Sequence, residues 1–460
     1  MSRTILSLSL VLLLQCSGVA QNGGNGGGGN GGGGNQGGGG NQGGGVGGIR
    51  IDAAGLVQLA IATPASSRSL QMELIRSAKN LPVDLNRSSP LRKVSLRELD
   101  REAGRLLKDG QPISREMRSL AGLTRIDSVF FADEGRDVII AGPAEGFAQQ
   151  RDGRFVGIDS GRPVLCLDDL LVALRSVNDR VAIGCSFDPD PGRLVKTQQI
   201  LRQNTTANSL ADAERGFLET GEVLGNWTVR VLGVPEDSRM AVAMVEADFV
   251  LKRLTTGAGK SGVRGFRSHL AMMKPGEDSL RRWWFSPLYD SIERNEASTI
   301  FHLAGPRLQV SAREELVDAA GNRSDAPVTQ VSLEDYAQQF TEKIPALAEK
   351  HQAIAHLQNL VDLLVTTALI RNGQSKGSVT WTIEVMADAE RLPAESYSVP
   401  RETPSIVTVR SAGSRTVIGL IAGGVLITPE RLLSQIRQTD SAELPLGLEP
   451  TVPAGRWWWD

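Results

Sequence analysis

Paired carboxylates are the residues whose type and spacing come closest to a catalytic arrangement in this chain. Asp168 and Asp169 follow a short apolar run, and Asp188 and Asp190 follow the apolar run 181–187. Active sites of α/β proteins lie at the C-terminal ends of strands, where two carboxylates can act as acid and base. Simpler roles also fit, because Asp168 can cap a helix and the prolines beside Asp188 form a rigid turn. We favour these structural roles, and a carboxylate-dependent hydrolase stays open as the alternative.

Other reactive side chains lack the partners that catalysis or metal binding needs. Ser186 lies at a strand end, but no base is identifiable for it and no Gly-x-Ser-x-Gly motif is present. The four histidines are His269, His302, His351 and His356. The last two are separated by about 140° around one helix, so they cannot face the same metal. The sequence therefore predicts no catalytic residue, no cofactor-binding residue and no metal ligand.

Two further motifs have ordinary interpretations. The segment Thr256–Ser261 resembles a phosphate-binding loop, but that pattern requires a glycine where this chain has Leu254. We interpret it as a flexible loop. Asp248 and Lys252 are four residues apart on a predicted helix, a spacing typical of an exposed ion pair.

Tryptophans give the clearest binding signals. Trp283 and Trp284 stand beside two arginines and can stack on sugars or on an anionic glycan, although packing in a strand core is the favoured interpretation. At the C-terminus, the adjacent indoles of Trp457–Trp459 cannot all point into one core. This pattern predicts a docking tail for another copy, a glycan, the cell envelope or a membrane interface.

Composition sets broad limits on the partners. The 460 residues carry a formal net charge of −2, which gives no basic field for nucleic acid. Hydrophobic residues make up 40% of the chain, enough for a substantial core. Cys166 and Cys185 lie in apolar runs, where cysteines are more often free than bonded, and a disulfide between them is the alternative.

The N-terminus predicts export. Residues 1–20 combine Arg3, an apolar run and small residues before position 21, as in a signal peptide. Acylation of Cys16 is the less favoured alternative, because Gln15 is bulkier than the residue that normally precedes a lipidated cysteine. Residues 21–48 are a Gly-rich segment, which predicts a flexible, disordered linker. We expect a periplasmic, cell-surface or secreted protein without a transmembrane span after signal removal.

Apolar periodicity and turn residues predict the remaining organisation. Four segments follow the linker: a helical arm at 49–125, a mixed α/β subdomain at 126–225, a second α+β subdomain with a long core helix at 226–435, and a Pro/Trp tail at 436–460. Individual predictions include hairpins formed by 129–131 with 138–141, 299–303 with 308–311 and 417–421 with 425–428, a strand at 379–386, and a helix break at Pro345.

Several phrases together resemble a known family. They are IIAGPAEGF, GRPVLCLDDLLVALR, IGCSFDP, VPEDSRMAVAMVEADFVLKRL, RWWFSPLY and HLQNLVDLLVTTALI. As a set they resemble a domain of unknown function found in secreted proteins of planctomycete bacteria, over about Leu120–Leu432. The resemblance implies export and a domain boundary, and it implies no activity, ligand or catalytic residue.

Together these features predict an α+β (mixed α/β) protein with a signal, a tether, a helical arm and a bipartite core. The first functional hypothesis is an exported, non-catalytic protein of the cell envelope that binds or scaffolds. The alternative is an extracytoplasmic hydrolase that uses Asp168, Asp169 and Asp188. A pocket where these carboxylates converge would favour the enzyme.

Overall fold

The computed structural model describes residues 48–60, 72, 74, 76, 79–150, 153–177, 182–203, 210–273, 280–317, 323–325, 331–412, 415–440 and 450–460. The predicted signal at 1–20, with Cys16, lies outside the described residues. So does the predicted linker at 21–48, apart from Gly48.

Strands and helices mix along the whole described chain, which confirms the predicted α+β class. The strands are β1 (Ile49–Ile51), β2 (Val57–Leu59), β3 (Ser89–Ser95), β4 (Ser128–Ala132), β5 (Asp137–Ala144), β6 (Phe147–Gln149), β7 (Phe155–Gly157), β8 (Ile183–Asp188), β9 (Asn226–Leu232), β10 (Leu280–Leu288), β11 (Ser291–Arg294), β12 (Ile300–Ala304), β13 (Arg307–Val317), β14 (Arg323–Asp325), β15 (Glu402–Pro404), β16 (Thr408–Ala412), β17 (Arg415–Ile427), β18 (Arg437–Gln438) and β19 (Trp458–Trp459).

The helices range from single turns to a 25-residue core helix. They are α1 (Val83–Asn86), α2 (Leu96–Lys108), α3 (Arg115–Arg118), α4 (Leu167–Ser176), α5 (Pro191–Gln203), α6 (Leu210–Leu224), α7 (Arg239–Thr256), α8 (His269–Met272), α9 (Val331–Lys350), α10 (Gln352–Lys376) and α11 (Pro429–Leu433).

Two large mixed sheets carry the architecture. The first has the order β14-β13-β10-β17-β8-β9-β15, with β16 pairing on β17. The second has the order β18-β11-β12-β4-β5-β3-β19. Most neighbours are antiparallel, whereas β10 with β17 and β11 with β18 are parallel. Strands from both sides of residue 225 pair in each sheet.

One face of the first sheet is covered by helices. Helix α7 lies against β17, β8 and β10, and α9 lies against β13. Ser238 caps α7 by accepting a hydrogen bond from the Ala241 amide. Nearly every side chain of α7 is buried, so this helix is enclosed on more than one side.

Helix α10 is the core of the molecule. It contacts α4, α7, α9 and α11, and its C-terminal end reaches Phe131 of β4. In the described part of the chain, α10 is the helix that is long and apolar enough to cross a membrane. The mean hydropathy of its most apolar stretch is 1.5. Because 94% of its most apolar stretch is buried inside the protein, we interpret it as the core helix that the sequence predicted.

A buried ion pair fastens α10 to both sheets. Asp362 of α10 accepts hydrogen bonds from the Tyr289 hydroxyl (2.9 Å), from Arg307 Nε (3.0 Å) and from the Ile126 amide (3.0 Å). Arg307 also donates to the carbonyl oxygens of Ile126 and Leu303. Arg307 opens β13 of the first sheet, Leu303 belongs to β12 of the second sheet, and Ile126 precedes β4 of the second sheet, so this cluster joins the two sheets.

The same cluster explains why residues 299–303 and 308–311 do not form the predicted hairpin. Strand β12 pairs with β4 and β11, while β13 pairs with β10 in the other sheet. Gly305 (φ 115°) and Arg307 (φ 68°) turn the chain out of one sheet and into the other. A positive φ is unfavourable for arginine, and its hydrogen bonds to Asp362 and to three carbonyl oxygens offset that strain.

The predicted hairpin at 417–428 is also wrong, because Ala422–Gly424 continue the single strand β17. A Cβ on Gly423 would lie 2.3 Å from the Trp283 carbonyl oxygen, and one on Gly424 would lie 2.1 Å from that of Cys185. The two glycines therefore permit close approach of strands on both sides, and they do not form a turn.

The predicted helical arm at 49–125 contains strands as well as helices. Ser95 is the N-cap residue of α2 and accepts a hydrogen bond from the Glu98 amide. Strand β3 immediately precedes α2 and pairs with β5 inside the second sheet. A bulge in β3 faces Pro143, which lies within β5 and has no amide hydrogen to donate. Strand β5 therefore continues through Gly142-Pro143.

Two more local predictions are corrected. Residues 379–386 are not a strand, because the amides of Glu384, Val385 and Met386 all donate to the carboxylate of Asp100. These bonds replace the pairing that a neighbouring strand would provide. Pro345 does not interrupt α9, which continues through it to Lys350.

The hairpin of β4 and β5 and the strand face of β9 match their predictions. Strands β4 and β5 pair in antiparallel register across the turn at 133–136. In β9, Trp227 and Val229 are buried and Val231 is partly buried on one face, while the alternate residues are exposed.

Substituting Gly424 tests the close approach of β17 and β8. We expect Gly424→Ala to lower the free energy of unfolding by about 1–3 kcal/mol, because the new methyl group overlaps the Cys185 carbonyl oxygen. Gly216→Ala in α6 is the matched control, since nothing lies within 4 Å of its Cβ position. Urea unfolding should give the control equal or slightly higher stability, and equal effects of both changes would contradict the packing described.

Candidate functional site

Asp169 is buried in an ionic cluster that three helices enclose. Its Oδ2 accepts hydrogen bonds from Arg239 Nη1 of α7 (2.6 Å) and from His356 Nε2 of α10 (3.0 Å). The three side chains are at most 2% exposed. Burial opposes ionisation of Asp169, but the Arg239 charge and the His356 hydrogen bond outweigh it and lower the pKa of the carboxyl. Because the three side chains are almost fully buried, the cluster is closed to solvent.

His356 is held neutral in this cluster. Burial and the positive charge of Arg239 lower its pKa, and the contact with Asp169 opposes them only in part. A neutral imidazole between a carboxylate and a guanidinium is a hydrogen-bond donor that ties α10 to α4. The cluster therefore has a structural role in linking α4, α7 and α10.

Asp168 faces a different environment from its neighbour. Helix α4 begins at Leu167 with Cys166 as the N-cap residue, so the prediction of Asp168 as the cap is wrong. Its carboxyl is 8% exposed. Burial, followed by the negative charges of Glu395 and Asp169, raises its pKa to about 6.

The second carboxylate pair also has separate roles. Asp188 ends β8 and accepts a hydrogen bond from the Ser186 hydroxyl (2.7 Å). Asp190 accepts from the Arg193 amide (2.8 Å) at the start of α5. Asp169 has Arg239 and His356 as partners instead, so Asp168, Asp169 and Asp188 do not converge as the hydrolase hypothesis requires.

Asp248 and Lys252 form the predicted pair, but the prediction of an exposed position is wrong. Their side chains are 0% and 3% exposed, and Lys252 Nζ donates to Asp248 Oδ2. The i, i+4 spacing was visible in the sequence. The burial of the pair was not visible in the sequence, because it depends on β17 and β8 covering this face of α7.

Both cysteines are free and buried, as the favoured interpretation predicted. Burial raises the pKa of the Cys166 thiol to about 12 and that of Cys185 well above its ordinary value. Neither sulfur is therefore a thiolate near neutral pH.

The four histidines lie apart from one another. His269 stands against Arg281 and Trp283, His302 in β12, His351 next to the Ser261 carbonyl oxygen and His356 beside Asp169. Among the described residues, no group of three or more His, Cys, Asp or Glu side chains can hold a metal ion.

The glycine-rich segment Thr256–Ser261 follows the C-terminus of a helix. Gly257 is the C-cap residue of α7, with φ 78°. Phosphate groups bind at helix N-termini, where amides and the helix dipole favour negative charge, whereas a C-terminus presents carbonyl oxygens. The position supports the interpretation as a loop.

The two internal tryptophans lie on opposite faces of β10. Trp283 is 0% exposed and packs against Tyr336 and His269, as the core interpretation predicted. Trp284 is partly exposed on the face that α7 and α9 do not cover. We call this surface the open face and define it by Trp284, Arg282, Arg313, Ser186, Arg230, Gly424, Gly184, Leu426 and Leu232.

Strand register places a continuous row across the open face. Ser311 pairs with Trp284, Trp284 with Gly424, Gly424 with Ser186, and Ser186 with Arg230. Because directly paired residues point to the same side of a sheet, the row crosses β13, β10, β17, β8 and β9 in order. Gly424 has no side chain, so the indole of Trp284 borders a shallow gap in the row.

Arginines surround the exposed indole. The Arg313 guanidinium lies 6.0 Å from the centre of the Trp284 ring, and Arg313 pairs with Arg282 in the next row. Arg230 is exposed at the far end of the Trp284 row. Asp188 on β8 and Glu402 on β15 are acidic groups in the adjacent row, since both pair with Thr228 of β9. The open face therefore combines an aromatic platform, hydroxyl groups and three cationic side chains.

Two exposed leucines border this arrangement. Leu426 is 44% exposed and Leu232 is 51% exposed, and both pair with Gly184. The sequence showed the Trp-Arg neighbours of β10, but it did not show that Ser186, Arg230 and the leucines join them. Alternation along β9 was the available signal, since Arg230 falls between two buried positions.

The C-terminal tail docks on its own chain. Trp458 and Trp459 form β19, which pairs with β3, and the Arg92 guanidinium lies 4.9 Å from the Trp458 ring. Trp457 and Trp458 pack against the main hydrophobic core. Trp459 packs against a separate hydrophobic cluster on the other side of the second sheet. A cavity of about 320 Å³ beside them is lined by Pro82, Asp84, Leu85, Ser114, Glu116, Gly455, Arg456, Trp457 and Trp458.

Comparison with known families identifies one segment. Residues 185–269 match the family described as "Protein of unknown function (DUF1598)". This supports the predicted resemblance to a domain of unknown function over a shorter stretch than predicted, from β8 to the first residue of α8. The planctomycete source and the secretion stay predictions. Comparisons with curated proteins and with solved structures found no significant match.

The pKa of Asp168 predicts a pH-dependent effect on stability. Its folded pKa of about 6 exceeds the ordinary value of 3.8, so the folded state binds a proton more readily, and ionisation lowers the stability progressively from about pH 4 to about pH 6. We expect Asp168→Asn to raise the free energy of unfolding at pH 7.5 by about 1–3 kcal/mol. The gain should shrink as the pH falls and vanish near pH 4.

Denaturant unfolding at pH 4, 5.5 and 7.5 measures this change. Asp212→Asn is the matched control, because Asp212 also occupies the first turn of a helix but is 43% exposed. The control should lose a few tenths of a kcal/mol or nothing. A loss of stability in Asp168→Asn that is the same at every pH would contradict the assigned environment.

Proposed function

We propose that the protein is an exported, non-catalytic binding protein of the cell envelope, and that its open face binds an acidic saccharide. Export rests on the signal-like residues 1–20 and on the family resemblance. Release as a soluble protein is favoured over anchoring through Cys16, and in either case the Gly-rich linker at 21–48 separates the folded part from the N-terminus.

The position of Trp284 carries the binding proposal. An indole that is partly exposed at the centre of a sheet face gives the flat apolar surface on which a sugar ring stacks. Its neighbour Trp283 is buried in the core. We therefore assign the packing role to Trp283 and the binding role to Trp284.

The charges beside Trp284 support an acidic ligand. Guanidinium groups bind carboxylate and sulfate oxygens through paired hydrogen bonds, and Arg313, Arg282 and Arg230 are spread over the same face. The hydroxyls of Ser186 and Ser311 offer additional contacts to sugar hydroxyls. A shallow, hydroxyl-rich face suits an extended ligand that lies across several strands.

The partners of the carboxylates support a non-catalytic role. Asp169 is bonded to Arg239 and His356 in an enclosed cluster, and Asp188 is bonded to Ser186. A glycosidase needs two carboxylates on either side of one bond to be cleaved. The binding proposal requires no such arrangement.

Binding of defined oligosaccharides tests the proposal. We expect isothermal titration at low salt to detect a uronic-acid or sulfated tetrasaccharide and not a neutral glucan tetrasaccharide. Trp284→Ala should weaken binding at least about tenfold through lost stacking, and Arg313→Ala about fivefold. Binding should fall as salt rises, because exposed charges are screened.

Arg105→Ala is the matched control, because Arg105 is 53% exposed on α2 and outside the open face. It should leave the affinity unchanged. Equal affinity for acidic and neutral sugars, or full affinity in Trp284→Ala, would overturn the proposal.

A further inference from the structure

Asp248 and Lys252 form a buried ion pair within a single helix. The residues occupy successive turns of α7, a spacing that brings the ends of the two side chains together on one face of a helix. Their side chains are 0% and 3% exposed, and Lys252 Nζ contacts Asp248 Oδ2.

Apolar and backbone groups close the space around this contact. Lys252 Nζ lies 3.7 Å from the centre of the Phe187 ring. On the other side, a Cβ on Gly423 would lie 3.1 Å from Asp248 Oδ1 and 3.2 Å from Lys252 Nζ. The pair is therefore pressed against the backbone of β17 and the aromatic ring of β8, which hold the two reactive groups at contact distance.

This environment favours the uncharged forms of both groups. Burial raises the pKa of the Asp248 carboxyl, and the charge and the hydrogen bond of Lys252 oppose this increase only in part. Burial also lowers the pKa of the Lys252 ammonium group. Because the pair titrates together, proton transfer from the ammonium to the carboxylate produces a neutral amine beside a neutral carboxylic acid.

We propose that Lys252 Nζ and Asp248 Cγ are joined by an intramolecular amide bond that forms after folding. The neutral amine attacks the carbonyl carbon of the carboxylic acid, and the N–C bond forms. The tetrahedral intermediate then loses its hydroxyl group as water, with one proton from the nitrogen. Each bond forms one amide and releases one water molecule, and no oxidant, nucleotide or metal takes part.

The product is compatible with the fold. A bridge between positions i and i+4 leaves the helical backbone in place, and it removes two ionisable groups from the core. The bond lies on the face of β8 and β17 opposite the open face, since Phe187 and Gly423 alternate with Ser186 and Gly424. The proposal is therefore independent of saccharide binding.

Mass spectrometry of the purified full chain decides the proposal. The bonded protein should be lighter than its sequence mass by one water molecule. Trypsin should fail to cut after Lys252, so that the peptide Met240–Arg253 appears intact and short of one water. A full-mass protein that trypsin cuts after Lys252 would overturn the proposal without any variant.

Variants locate the bond. Asp248→Ala should restore the water and the cleavage after Lys252, whereas Glu102→Ala, in an exposed ion pair of α2, should retain the loss of water. A loss of water that persists in Asp248→Ala would place the bond elsewhere and contradict the assignment.

Discussion

The contact on which the rest of the structure depends is the buried ion pair between Asp362 and Arg307. Through it α10 holds the start of β13, the Leu303 carbonyl at the end of β12 and the segment that enters β4. Burying two charges is costly, and here further hydrogen bonds from Tyr289 and the backbone offset that cost.

Charged side chains have different roles in the interior and on the open face of the molecule. Inside, carboxylates are matched with cations or with backbone amides, as for Asp169 with Arg239 and Asp100 with residues 384–386. Such groups specify how helices meet, and they are closed to ligands. On the open face, Trp284 and the arginines remain accessible on a rigid sheet. This division is why we assign binding to the sheet surface and structure to the buried charges.

The sequence predicted the elements better than their partners. Helices α7 and α10 and the hairpin of β4 and β5 follow from apolar periodicity and turn residues. The path of β17 through Gly423-Gly424 could not be predicted, because those glycines serve neighbouring strands that are distant in sequence. Likewise, the open face joins residues of five strands, and the burial of Asp248 and Lys252 arises only when β8 and β17 pack on α7.

A double-mutant cycle between Asp362 and Arg307 tests the central claim that this buried pair holds the sheets together. We expect Asp362→Leu and Arg307→Met each to lower the free energy of unfolding by about 3–5 kcal/mol, since each leaves one charge buried without its partner. The double variant should cost at least about 2 kcal/mol less than the sum of the two, because neither charge remains. Additive effects, or single losses below about 1 kcal/mol, would contradict the account.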